Sequence, residues 1–392
     1  MIDALTFPQA KPQVYTSSQT LISNTDAKTR TISQRIIETV GRWIRDLFFL
    51  PISANLPSSS LAILNREREF VQRFWNPACP LDMNYPLQEE IRKAFRVYDQ
   101  PIQIAIDGEK LEAKCRIIES KEEGESYINF VQVLGSLSTI ETDVTTTYPF
   151  LAEYLKRRKE DPSLPPARFI LISHYNTSSE EGLWKPKTIA QWGEALSKIV
   201  EALSKKFNHL NCIIGHSNGT LPLAGAVNSL VQQALPSLLC FERGPSSIES
   251  VSKGYCGGRI LHFLAKNTGW TTDLGKELHT FYQKHPNSSC IVSGVSQDFY
   301  FPGEAGLPEH PLIAELEKES KVKVFLFNPP NQLFHPRAHH NLRADLLHGN
   351  YLIRATNKTE MENKSLASVI FSNCFSTGKD LERTQEPFDK SH

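Results

Sequence analysis

The sequence predicts an α/β domain: a mostly parallel central sheet with helices on both faces, plus an N-terminal helical extension and a lid-like insertion. Three observations carry this. Short apolar runs recur along the chain, at Tyr127–Leu134, Phe169–Ser173, Asn211–Ile214, Leu238–Phe241, Cys290–Ser293 and Val322–Phe327. Segments of helical period separate them, and strands that alternate with helices build parallel sheets covered on both sides. A period-two hairpin precedes all of these runs. In it Ile102, Ile104 and Ile106 alternate, Asp107-Gly108 makes the turn, and Leu111, Ala113, Cys115 and Ile117 alternate again.

In chain order, residues 1–31 hold scattered Ser and Thr with early prolines and little periodicity, the pattern of a flexible leader. Residues 32–96 read as an N-terminal helical extension. Ile36, Val40, Ile44, Leu47 and Phe48 recur at helical spacing, PISANLPSSS at 51–60 breaks the pattern, and Pro77, Pro80 and Pro86 interrupt the helical text of 61–98. The α/β domain spans 97–355. Its helices are predicted over Tyr148–Arg158, through Ile189, Trp192, Leu196, Ile199 and Leu203, and over Leu221–Ala234. Residues 244–286 form the insertion, which carries Ile260, Leu261, Phe263, Leu264 and Trp270. Residues 356–392 read as a polar, loosely ordered tail.

Composition excludes several classes of function. At about 150 residues per domain, 392 residues allow two or three domains. Lys+Arg and Asp+Glu number 43 each, so no basic excess exists to neutralise phosphates, and nucleic-acid binding is not expected. The seven Cys show no CxxC pair or zinc-ligand spacing. Reduced, packed thiols in a cytosol-like compartment are predicted, with no metal and no organic cofactor. No classical secretory signal and no run of about 18 apolar residues is found, so no transmembrane segment is expected.

The chemistry concentrates in NCIIGHSNGT at 211–220. A G-x-S-x-G pattern between an apolar strand and a helix places its serine on a sharp, strained turn, with Oγ exposed above the sheet. Ser217 is therefore the candidate nucleophile, and the backbone N–H of Asn218 the candidate oxyanion donor. A serine needs a base, and the base an orienting acid, which in this kind of sheet follow in the order Ser, Asp/Glu, His. Asp298 lies just after the next-to-last strand, with Glu242, after Leu238–Phe241, as the alternative. His340, His339 and His335 all come after the last strand.

These elements, with GHSNG, resemble the α/β-hydrolase superfamily over about residues 97–350. The finer text is similar to the chlamydial CHLPS-type branch and related bacterial hydrolases. VLGSLSTIE (133–141) resembles the oxyanion loop of that branch. SHYNTSSEEG (173–182) resembles its next strand-end loop, ERGPSSI (242–248) its sixth-strand segment, and HNLRADL (340–346) its histidine segment. The resemblance ranks His340 first among the histidines and implies second oxyanion donors around Ser136 or Leu137. The chain departs from the branch in lacking some loop glycines, in having Glu242 for Asp, and in lacking a His-Gly pair in the oxyanion loop. The resemblance implies a serine esterase or lipase-like hydrolase acting on a small-molecule or lipid ester, cytoplasmic or delivered to a host cell by a non-classical route. The alternative is a non-catalytic binding protein or delivered effector of the same fold. Residues 32–50 suit a helix in a membrane interface, with Trp43 and Phe48 beside Arg42 and Arg45, as well as one docked on the core.

Overall fold

The computed structural model describes residues 38–42, 68–327, 351–355, 358–362 and 365–381, apart from 83–84, 125, 136–138, 142–143, 145–146, 174–175, 181, 248–249, 251–257 and 296–305. Helix α1 (Gln88–Ala94) leads into two long strands, β1 (Phe95–Ile106) and β2 (Glu109–Ser120). They pair antiparallel from Phe95↔Ser120 to Ile106↔Glu109. Their turn has Asp107 at φ 50° and Gly108 at φ 81°, the left-handed pair that a two-residue Asp-Gly hairpin requires.

The alternating part continues with β3 (Ile128–Val133), α2 (Tyr148–Glu160), β4 (Ala167–Ile172), a small hairpin of β5 (Thr177–Ser179) and β6 (Gly182–Leu183), α3 (Ile189–Phe207) and β7 (Cys212–His216). Next come α4 (Thr220–Val227), β8 (Leu238–Glu242), α5 (Gly258–Asn267), α6 (Leu274–Lys284), β9 (Ser289–Val295), α7 (Pro311–Lys318) and β10 (Val322–Phe327). Strands β11 (Tyr351–Ala355) and β12 (Lys358–Glu362) and helix α8 (Leu366–Leu381) complete the described chain.

The strands form one sheet in the order β12-β11-β10-β9-β8-β7-β3-β4-β2-β5-β6, with β1 on β2. Strands β3, β4 and β7–β10 are parallel, and β2 runs antiparallel to β4. After β4 the chain crosses back, so that β3 is flanked by β4 and β7. The helices after β3 and β7 pack on opposite faces, which opens a crevice between the carboxyl ends of these two strands. Ligands of open α/β sheets bind at such a switch point.

Strand side chains alternate between two cores. Val131, Val133, Ile213, Leu239 and Phe241 meet α3, α4, α6 and α7. Ile128, Phe130, Cys212, Ile214 and Cys240 meet α2 and α8. The predicted α/β class, with helices on both faces, is what the chain adopts.

Two local features differ from the sequence expectation. Helix α4 stops at Val227 instead of continuing to Ala234, because the Asn228 side-chain amide donates to the carbonyls of Ala224 (3.2 Å) and Glu277 (3.0 Å) and ties the chain to α6. Residues 365–381, expected to belong to a polar tail, include α8, whose Leu366, Ile370 and Phe371 are fully buried. Their helical spacing is masked by the polar text on either side. In the N-terminal extension before residue 68 only 38–42 are described. There Val40 packs on the first core, and a Cβ on Gly41 would lie 3.2 Å from Thr268 Cβ. This turn rests on the protein. Among the described residues no helix is long and apolar enough to cross a membrane.

At the sheet edge opposite the carboxyl ends, Glu119 accepts from Arg168 Nη2 (2.6 Å) and from the Tyr98 hydroxyl (2.8 Å). The Arg168 guanidinium lies 4.2 Å from the ring centres of both Tyr127 and Phe207. Burial pushes the Glu119 carboxyl up, but the hydrogen bonds from Arg168 and Tyr98 outweigh it and hold it below the ordinary value. A lowered folded value stabilises above the unfolded carboxyl's pKa, and that stabilisation is lost as pH falls through the folded value. Glu119→Gln leaves Arg168 buried without its carboxylate, so urea unfolding near pH 7 is expected to lose about 3–5 kcal/mol. The deficit should shrink as pH drops into the carboxyl range. A constant deficit at all pH values would mean that the ion pair is not its source.

Candidate active site

Strand β7 is apolar because it is covered on both faces, and it delivers the chain to the crevice. Ser217 then turns into α4 at φ 51°. The left-handed region costs a residue with a Cβ about 1–2 kcal/mol, and such strain concentrates at functional turns. The G-x-S-x-G spacing is explained by contacts. A Cβ on Gly219 would lie 2.8 Å from the Leu134 carbonyl oxygen and collide with that of Val133. Thus α4 can start beside β3 only with glycine there. Ser217 and Asn218 are half-buried at the crevice mouth.

The loop after β3 meets this turn directly. A Cβ on Gly135 would lie 2.9 Å from Ser217 Cβ and 3.0 Å from the His216 carbonyl oxygen. The far end of the loop is also fixed. Asn176 Oδ1 accepts from the Ile140 N–H (3.2 Å), and Arg116 Nη1 donates to the Ile140 carbonyl (2.7 Å). Ser136 and Leu137, the candidate second oxyanion donors, fall between these anchors and outside the described residues.

Glu242 ends β8 in parallel register with His216. It is fully buried, and its carboxylate lies 3.3 Å from His216 Nδ1 and 3.6 Å from Arg243 Nη2. Asp298, His335, His339 and His340 lie outside the described residues. In the chain they come after β9 and β10, whose carboxyl ends share the sheet edge with Ser217.

Two features here escaped sequence reasoning. His216 read only as the spacer in G-x-S-x-G, and no local signal pairs it with Glu242. The second is a tie between helix starts. His310 Nε2 lies 3.2 Å from Asp273 Oδ1, while its Nδ1 accepts from the Leu312 N–H (3.2 Å). Asp273 also caps α6 by accepting from the Lys276 N–H (3.0 Å). The signal was present in the Asp before α6 and in His310-Pro311, with proline at a helix start.

Among the described residues no group of three or more His, Cys, Asp or Glu side chains is placed to hold a metal ion. Burial pushes the Cys115 thiol up to about 12, and those of Cys212, Cys240 and Cys290 up as well, so none supplies a thiolate near neutral pH.

No family model and no curated protein matches the sequence. Among solved structures the chain is similar to Est1E from Butyrivibrio proteoclasticus, at 12% identity and a TM-score of 0.41, over 72% of this chain and 99% of that one. A fungal esterase from Rhizomucor miehei gives 11% identity and a TM-score of 0.42, over 80% and 97% of the two chains. The acylaminoacyl peptidase of Pyrococcus horikoshii gives 15% identity and a TM-score of 0.43, over 68% of this chain and 42% of that one. Independently of these, the strand order, the antiparallel β2 and the strained turn between β7 and α4 give this chain the α/β-hydrolase fold.

Proposed function

We propose that the protein is a serine hydrolase that cleaves carboxylic esters through an acyl-enzyme. The observation that supports this best is Ser217 itself. It is held in a left-handed conformation at the switch point and pressed against Gly135 of the loop that would complete an oxyanion hole. In the proposed reaction Ser217 Oγ attacks the ester carbonyl carbon as His340 takes its proton. Asp298 holds the imidazole in the required tautomer, and the N–H groups of Asn218 and the 136–137 loop receive the oxyanion. Collapse of the tetrahedral species breaks the bond to the alcohol, which leaves with the proton from His340. Water then releases the acid by the same steps. The engagement of the Glu242 carboxylate with His216 and Arg243 favours Asp298 over Glu242 as the acid.

The insertion supports an apolar acyl group or lipid ester as substrate. On α5, Ile260 and Phe263 are 67% and 64% exposed. The α5 segment ends at the start of α3, where the Gly269 carbonyl accepts from the Ile189 N–H (3.1 Å), on the same sheet edge as Ser217.

The decisive test is labelling with a fluorophosphonate probe, which reacts covalently with an activated serine. A wild-type protein that labels, and a Ser217→Ala variant that does not, support the reading. An inert wild-type protein would leave the non-catalytic binding role. A second expectation concerns the crevice. Gly135→Ala pushes a methyl group into Ser217 and the His216 carbonyl, and displacing a reacting group by about 1 Å can cost about 100-fold. A drop in kcat of that order with KM little changed is expected. Unaltered kcat would show that the loop can yield at no cost.

A further inference from the structure

We propose that His216, Glu242, Arg243 and Thr220 form a buried strut that holds Ser217 in its strained conformation, each acting as a positioning residue rather than touching substrate. The proposal rests on Ser217 being the nucleophile. It begins with an energetic difficulty: a left-handed serine relaxes unless the segments on both sides of it are fixed.

On the strand side, His216 immediately precedes Ser217, and its Nδ1 lies 3.3 Å from the fully buried Glu242 carboxylate. A carboxylate there needs a cation. Arg243 provides one, with Nη2 at 3.6 Å and a side chain only 2% exposed. To reach it Arg243 itself turns left-handed, at φ 51°, the same angle as Ser217. Its N–H donates to the Ser293 carbonyl (2.8 Å), which ties the turn to β9. The neighbouring strands β7 and β8 thus leave the sheet through matching left-handed steps, and the contact of His216 with the Glu242 carboxylate joins them.

On the helix side, Thr220 Oγ1 donates to the Ser217 carbonyl (2.7 Å). Thr220 is wedged from behind by the residue after Arg243, since a Cβ on Gly244 would lie 2.7 Å from Thr220 Cγ2. The segment Glu242-Arg243-Gly244 therefore braces Ser217 from both directions, through His216 before it and Thr220 after it. No group in this set needs to reach the crevice to act.

The strut predicts a loss in the chemical step without a loss in binding. Glu242→Gln keeps the shape and removes the charge. With p-nitrophenyl butyrate as substrate, kcat and the rate of fluorophosphonate labelling are expected to fall about 10- to 100-fold, with KM within about twofold, since misplacement of a reacting group acts on kcat. Glu242→Asp, which restores the charge, should recover most of the labelling rate. A structural role alone would lower the melting temperature without splitting kcat from KM. Should Glu242→Gln fail to fold, Thr220→Val tests the same strut by removing only the hydroxyl donor, and it should slow labelling likewise. Folded variants that label at the wild-type rate overturn the strut while leaving the serine-hydrolase reading in place. A Glu242→Gln loss as large as that of Ser217→Ala, with Asp298→Asn mild, overturns it in favour of Glu242 as the acid of the triad. A wild-type protein inert to the probe removes both proposals together.

Discussion

Ser217→Ala is expected to abolish ester hydrolysis, with kcat falling on the order of 10⁴- to 10⁶-fold, as for removal of a triad nucleophile. At about 1.4 kcal/mol per decade this is about 5–8 kcal/mol of transition-state stabilisation. The fold should survive. The substitution removes one oxygen from a half-buried side chain, and alanine meets the left-handed backbone with the same Cβ that serine has. Melting temperature and circular dichroism should therefore match the wild type. Retained hydrolysis in a purified, folded Ser217→Ala protein would sink the mechanism.

His340→Ala is expected to be as damaging as Ser217→Ala, and the double variant no worse than either single one, because members of a triad act as a unit. His335→Ala should be mild. Asp298→Asn should cost about 10⁴-fold by leaving the imidazole in the wrong tautomer. Glu242→Gln should cost less, since its carboxylate is engaged with His216 and Arg243. Steady-state kcat for these four variants and for His339→Ala decides the assignment. If His339→Ala or His335→Ala is the dead one, the base moves to that residue, and the reaction class stands.

Much of the fold was legible because it rests on local chemistry. The period-two text of 102–117 can bury one face only as a strand pair, and Asp107-Gly108 adopts the turn needed to join them. The apolar runs of β3, β4, β7 and β8 read as strands because both of their faces are covered. Two helices resist reading for opposite reasons. Nothing local ends α4 at Val227; Asn228 does so by reaching Glu277, in another helix. Helix α8 does have the right spacing, but a short apolar stretch between polar segments yields a weak signal until Phe371 is seen packed at a tilt against Phe130, with ring centres 4.7 Å apart.

The sequence by itself determined the parallel α/β sheet, the opening hairpin and the place of Ser217 between a strand and a helix, because period, turn chemistry and glycine spacing are properties of contiguous residues. Only the tertiary structure decided that Gly135 presses on Ser217, that His216 lies against Glu242, and that Gly244 wedges Thr220. These contacts join segments far apart in the chain. Their existence depends on β3, β7 and β8 becoming neighbours in one register, and that register is set by the burial of whole strands against two cores.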